Sequence, residues 1–259
     1  MDEQLTPTPL KEWSLGVYVE WRPEPRFYDV RGAILERLEK EGLRRAYRVE
    51  EDSVGALLTA EYHELQMTDK SAVVRAATRD VDPEKAVKAL SAALDEMKPS
   101  SITGLNVTLQ HVVPLESDYD AVRKSAAAET FATGLAGELR ATDFAVLVDG
   151  KWLAGRSSEP DDYHAEFGIV RRAELSDRLA RWVGRIGIGM GSDPFGGRGW
   201  NIEEAPAVAL FVDSVWWARP RVDESEIPDR ATALVEDARQ SAAEMVKGLI
   251  RRVHEAPDG

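Results

Sequence analysis

Residues 13–21 read WSLGVYVEW, and the fold turns on how this stretch is read. Trp13, Leu15, Val17, Val19 and Trp21 alternate with Ser14, Gly16, Tyr18 and Glu20, the period of two that assigns each set to one face of a half-buried strand. Two tryptophans around three aliphatic residues bring a large apolar area to one face. At about 25 cal/mol per Å2 removed from water, that face seeds a core.

Moving outward, Pro23 and Pro25 break the strand. Residues 27–41 then carry Val30, Ile34, Leu35 and Leu38 at helical spacing, with Gly42 at the position of a C-terminal stop. Short apolar or alternating runs at 54–58, 62–67 and 72–77 predict antiparallel strands joined by tight turns. Asp82-Pro83-Glu84 is a helix start: a capping acid, a proline where no amide hydrogen is required, and a carboxylate facing the positive end of the helix dipole. That helix runs through Ala86, Val87, Leu90, Ala93, Leu94 and Met97 until Pro99. Leu105, Val107, Leu109, His111 and Val113 next share one strand face, closed by Pro114.

The second half has a similar outline. Alanine-rich residues 118–139 predict a connecting helix interrupted near Gly134 or Gly137. FAVLVDGKWLAG, residues 144–155, predicts a hairpin that turns at Asp149-Gly150. Residues 163–170 predict a strand, and Leu175, Leu179, Trp182, Val183 and Ile186 a helix. After the glycine-rich residues 187–200 comes a strand at 207–217, apolar on both faces and so central in its sheet. Finally Ala231, Val235, Ala238, Ala242, Met245, Leu249 and Val253 keep a three-four spacing, a stripe that either docks on the protein's own sheet or pairs in an oligomer. The order predicts an α+β protein of two similar antiparallel sheet-and-helix units, ferredoxin-like or related. These cover residues 1–117 and 141–221, with a connecting helix at 118–140 and a long C-terminal helix at 222–259.

Composition narrows function by exclusion. The 259 residues are 43% hydrophobic and 31% charged, the balance of a folded globular chain. With no cysteine, thiolate nucleophiles, disulfides and cysteine zinc sites are ruled out. The opening residues lack a basic-then-apolar leader, and no run approaches the roughly 20 apolar residues of a membrane helix, so a cytoplasmic location and no membrane partner are expected. A net charge of -13 and a pI near 4.9 repel a phosphate backbone, which disfavours nucleic acid unless the basic residues gather on one face.

Asp162, His164 and Glu166 recur at every second position of a predicted strand and project from one face. Such a row has the donors to bind a divalent metal or orient a general base, and equally it is the wet side of an amphipathic strand whose other face holds Tyr163, Ala165 and Phe167. His111 lies in line with core positions, which suits a hydrogen-bonded core histidine more than a ligand. Gly187, Gly189 and Gly191 form GxGxG after a helix, whereas the dinucleotide motif is GxGxxG after a strand; no P-loop, HExxH or GxSxG pattern is present. Beside this loop, Arg178, Arg181 and Arg185 share a helix face and, with Gly189 and Gly191, could serve a phosphate-bearing ligand or simply be solvated. Trp216 and Trp217 cannot both point into the core of a regular strand.

Taken together, WSLGVYVEWRPEP at residues 13–25, ITGLNVTLQHVVPLE at 102–116, and FVDSVWW at 211–217 before a long helix resemble a sporadically distributed bacterial protein family of uncharacterised function. Members open with an alternating apolar strand, carry a central strand with arginine and asparagine, and close with an acidic strand before a long helix. Here Leu105-Asn106-Val107 lacks the arginine, while Asp213 matches the acidic strand. The resemblance implies no catalytic residues and no cofactor; its patchy occurrence implies an accessory, mobile-element or defence-associated role. The expected function is therefore a non-enzymatic interaction or assembly protein. Its protein partner or second copy would meet Trp216, Trp217, Arg219, Met245 and Leu249. The alternative is a nucleic-acid-processing enzyme similar to the repeat-processing endoribonucleases of CRISPR systems, with Arg178, Arg181 or Arg185 near the RNA.

Overall fold

The structure, a computed structural model, describes residues 11–43, 45–49, 53–58, 63–76, 83–116, 118–122, 145–152, 161–175, 206–218 and 227–255. The first half runs β1 (Lys11–Trp21), α1 (Phe27–Lys40), β2 (Arg45–Val49), β3 (Ser53–Leu58), β4 (His63–Thr68), β5 (Ser71–Ala76), α2 (Pro83–Met97) and β6 (Ile102–Pro114). The second contributes β7 (Ala145–Trp152), β8 (Asp161–Arg171), β9 (Val208–Ala218) and α3 (Ile227–Glu255). The protein is α+β, as its element order predicts.

All nine strands among the described residues lie in one sheet, in the order β2-β3-β4-β5-β1-β6-β9-β8-β7, and every neighbouring pair is antiparallel. Two separate sheets were expected. Instead β6 of the first half pairs with β9 of the second from Leu105↔Ala218 to Pro114↔Ala209. The physical reason is that β6 and β9 are both long and apolar on both faces over part of their length, so each is most stable inside a sheet. β2 has no counterpart among the predicted strands.

Helices α1, α2 and α3 pack side by side on one face, α2 touching both neighbours as well as β5 and β1, and α3 touching β6 and β9. Leu15, Val17, Val19 and Trp21 of β1 face them, packed with Ile34 and Leu38 of α1, Leu90 and Met97 of α2, and Leu234 and Ala238 of α3. Of the α3 stripe, Val235, Ala238 and Ala242 are buried within the fold and Met245 is half-buried, while the side chains of Ala231, Leu249 and Val253 lie outside the described residues. α1 ends as its glycine predicts. Gly42 adopts φ +94, its amide reaching Glu39 and that of Leu43 reaching Leu38, the paired bonds of a Schellman turn that an L side chain resists.

Two local readings are overturned. Trp13 does not join Leu15 and Val17, because the β1–β6 register slips between Glu12 and Ser14 and leaves Trp13 as the extra residue of a bulge. It packs instead with Val112, Val170, Leu175, Ala209 and Phe211, and Glu12 is carried onto the helix-covered face opposite His111. Asp149-Gly150 is not a turn. β7 passes straight through it, pairing Asp149 with His164 and Gly150 with Tyr163. Glycine is required there for a packing reason, since a Cβ would collide with the Tyr163 ring.

Candidate functional site

The face away from the helices carries the polar side chains of β1, β6, β8 and β9. Because sheet residues alternate, Tyr163, Ala165, Phe167 and Ile169 point toward the helices while Asp162, His164 and Glu166 point away. On the helix side, Tyr163 stacks on Trp216 with ring centroids 4.8 Å apart, and the Trp216 indole donates to Ser214 Oγ at 3.0 Å.

The acid-histidine-acid row is dispersed rather than convergent. Asp162 is engaged by Lys151 of β7, and His164 Nδ1 lies 2.7 Å from Asp149 Oδ1. Glu166 sits opposite Asp213. Alternate residues on a strand are roughly 6.6 Å apart, too far for three to close on a metal ion that holds its donors at about 2.1 Å. Among the described residues, no three histidine or acidic side chains gather in that way.

Beside Glu166 runs a second polar line. Ser14 Oγ donates to Gln110 Oε1 at 2.8 Å, and Gln110 Nε2 donates to Asp213 Oδ2 at 3.1 Å. Ser14 and Gln110 are buried, so the bonds satisfy groups that would otherwise be costly to desolvate. This line explains why Asp213 occupies an otherwise apolar strand.

On the helix side of the same strands lies a partly buried ion pair beside a histidine. Arg239 Nε of α3 donates to Glu12 Oε2 at 2.7 Å, next to His111, Glu12's partner in the register. Burial raises the Glu12 pKa and the Arg239 bond and charge oppose the rise. Burial, with a smaller push from Arg239, lowers the His111 pKa to about 4, so its imidazole is neutral at pH 7. His111 is a core residue, but its Nδ1 finds no hydrogen bond among the described residues, where a bonded histidine was expected.

The described residues also form a pocket of about 440 Å3 where β6 and β8 begin and β9 ends, lined by Thr103, Gly104, Leu105, Asp161, Asp162, Trp217 and Ala218. Trp217, 39% exposed, is one of two large hydrophobic side chains open to solvent among the described residues. Trp216 is 2% exposed, so strand alternation divides the pair. Met245 is half-buried against the core. Arg219, Arg178, Arg181, Arg185, Gly189 and Gly191, and the Leu249 side chain, lie outside the described residues. The pocket itself was not foreseen, because Asp161 and Leu105 are 56 positions apart and become neighbours only through β9. Its signal was the second tryptophan of the pair.

No family model matches this chain, and a search of curated proteins finds no match. Among the described residues, no helix is long and apolar enough to cross a membrane.

Proposed function

We propose that this protein is a non-enzymatic binding protein, an accessory component of an assembly, whose contact surface is centred on Trp217. The observation that carries the reading is that indole, 39% exposed at the mouth of a pocket of about 440 Å3. Exposed tryptophans are costly to leave in water and enriched where partners dock, and a pocket of this size suits a side chain or short segment. The middle of the α3 stripe, Val235, Ala238 and Ala242, is covered by the protein's own sheet and α2. The order β6-β1-β5-β4, with α1 and α2 as connections, supports the finer reading of the first half as a ferredoxin-like unit extended by β2 and β3.

The test compares tagged wild-type protein with Trp217→Ala in extracts of the native host, with sedimentation of the purified proteins alongside. A stoichiometric partner, or a self-association equilibrium, is expected for wild type and lost in the variant, whose circular dichroism stays unchanged. Identical recovery and identical sedimentation for both proteins would overturn the proposal.

A further inference from the structure

We infer that the outer edge of β7 pairs with the β7 edge of a second copy of this chain, antiparallel about a two-fold axis at Gly150, so that two sheets join into one. Among the described residues, β2 and β7 end the sheet, each with a strand on one side only. The two ends differ. β2 is five residues long and its register with β3 slips between Ala46 and Arg48, the kind of irregularity that turns an edge away from new strands. β7 is eight residues long and pairs with β8 without a break from Ala145 to Trp152. Its other side therefore offers a regular row of backbone N–H and C=O groups to an incoming strand.

Charge selects the occupant. Asp149 and Lys151 stand on one face of β7 on either side of Gly150, and both are exposed. A lone lysine on an edge discourages arbitrary strands. A two-fold axis at Gly150, however, sets Asp149 opposite Lys151 of the second copy, and the reverse, as a self-complementary interface requires. Moving the axis one residue either way puts Asp149 against Asp149 or Lys151 against Lys151, so the charges specify a single register. Neither side chain has to give up its present neighbour. Lys151 holds Asp162, and Asp149 Oδ1 lies 2.7 Å from His164 Nδ1. An ammonium has three donors and a carboxylate two accepting oxygens, so these pairs extend into a row of four across the axis: Asp162 and Lys151 of one copy, then Asp149 and His164 of the other. This edge is two strands away from Trp217 and does not depend on that contact surface.

The test is sedimentation equilibrium of the full-length protein, with a dimer of twice 28.7 kDa expected for wild type. Asp149→Lys sets lysine against Lys151, and Lys151→Glu sets glutamate against Asp149, so each variant alone is expected to raise the dimer Kd about tenfold or more. In an equimolar mixture every cross-strand pair between the two variants is again opposite in sign, and the dimer is expected to return. A general loss of folding cannot produce that rescue. Because the chain has no cysteine, a second measurement uses Asp149→Cys and Lys151→Cys, which when oxidised together should form a disulfide between the two variants in preference to one within either alone. A monomeric wild type, charge variants that dimerise as wild type does, or a mixture that behaves as its separate components without a preferred cross-link would overturn the inference. The dimer is expected to persist in Trp217→Ala. A dimer lost in that variant but unmoved by the charge changes assigns self-association to the Trp217 surface and overturns the β7 pairing.

Discussion

His111 condenses the tension between strand pattern and polar chemistry into one side chain. Its position in line with Leu105, Val107 and Leu109 is legible from alternation alone, and it is buried as that alternation requires. What alternation does not show is the neighbour across the strand. The bulge at Trp13 places Glu12 there, and a one-residue slip is energetically cheap and leaves no mark in composition. Protonation of His111 should therefore govern acid sensitivity. Its folded pKa is about 4 against an ordinary 6.5, so between those values the unfolded chain binds a proton that the folded chain refuses. The contribution of neutral His111 is thus complete above pH 6.5 and falls by roughly 3 kcal/mol on acidification to pH 4. Glu12 acts in the opposite sense: its raised pKa lends stability below the usual 4.5 that is lost as pH rises through its folded value. Urea denaturation of wild type and His111→Leu from pH 4.5 to 7.5 should show a steep rise for the former and a flattened profile for the latter. Equal slopes would show that His111 does not titrate as assigned.

At the scale of elements, helix ends were easier to read than strand ends. Gly42 and the start of α2 at Pro83 announce themselves because caps are local chemistry, decided by residues adjacent in the chain, while the capping residue Asp82 lies outside the described residues. Asp149-Gly150 misleads for the converse reason: the dipeptide permits a tight turn, but pairing with β8 along the whole of β7 offers more hydrogen bonds than a turn would. The end of α2 contains a further test. Lys98, just after the helix, is held at φ 47, in the left-handed region that costs a non-glycine residue about 1 kcal/mol or more. Lys98→Gly should relieve that cost and give back part of it as entropy of the unfolded chain, for a net gain of about 0.5 kcal/mol. A raised denaturation midpoint at constant slope would bear this out; a lowered midpoint would show that the lysine side chain contributes something the backbone argument omits.

Across the whole molecule, the first strand and the last helix are tied by the Glu12–Arg239 bond, 227 residues apart in sequence. Glu12 is the more buried partner, so removing Arg239 alone strands a carboxylate beneath α3. Arg239→Met should cost about 1 to 2 kcal/mol at pH 7, less than a fully buried pair because the arginine is 39% exposed, Glu12→Gln combined with Arg239→Met should recover most of it, and the loss should shrink as Glu12 becomes protonated at lower pH. A double variant as unstable as the single one would show that the arginine acts through packing rather than charge. Sequence alone determined the alternation of β1 from Leu15 to Trp21 and of β6 and β8, the helices α1, α2 and α3, and the division of Trp216 from Trp217, because each follows from periods of 2.0 or 3.6 residues within a single element. Only the tertiary structure decided that both halves share one sheet, that Glu12 meets Arg239 and His111, and that Leu105, Asp161 and Trp217 line one pocket. Those are pairings between distant segments, selected by how much surface and how many hydrogen bonds the assembled sheet gains, a quantity that no local window of residues contains.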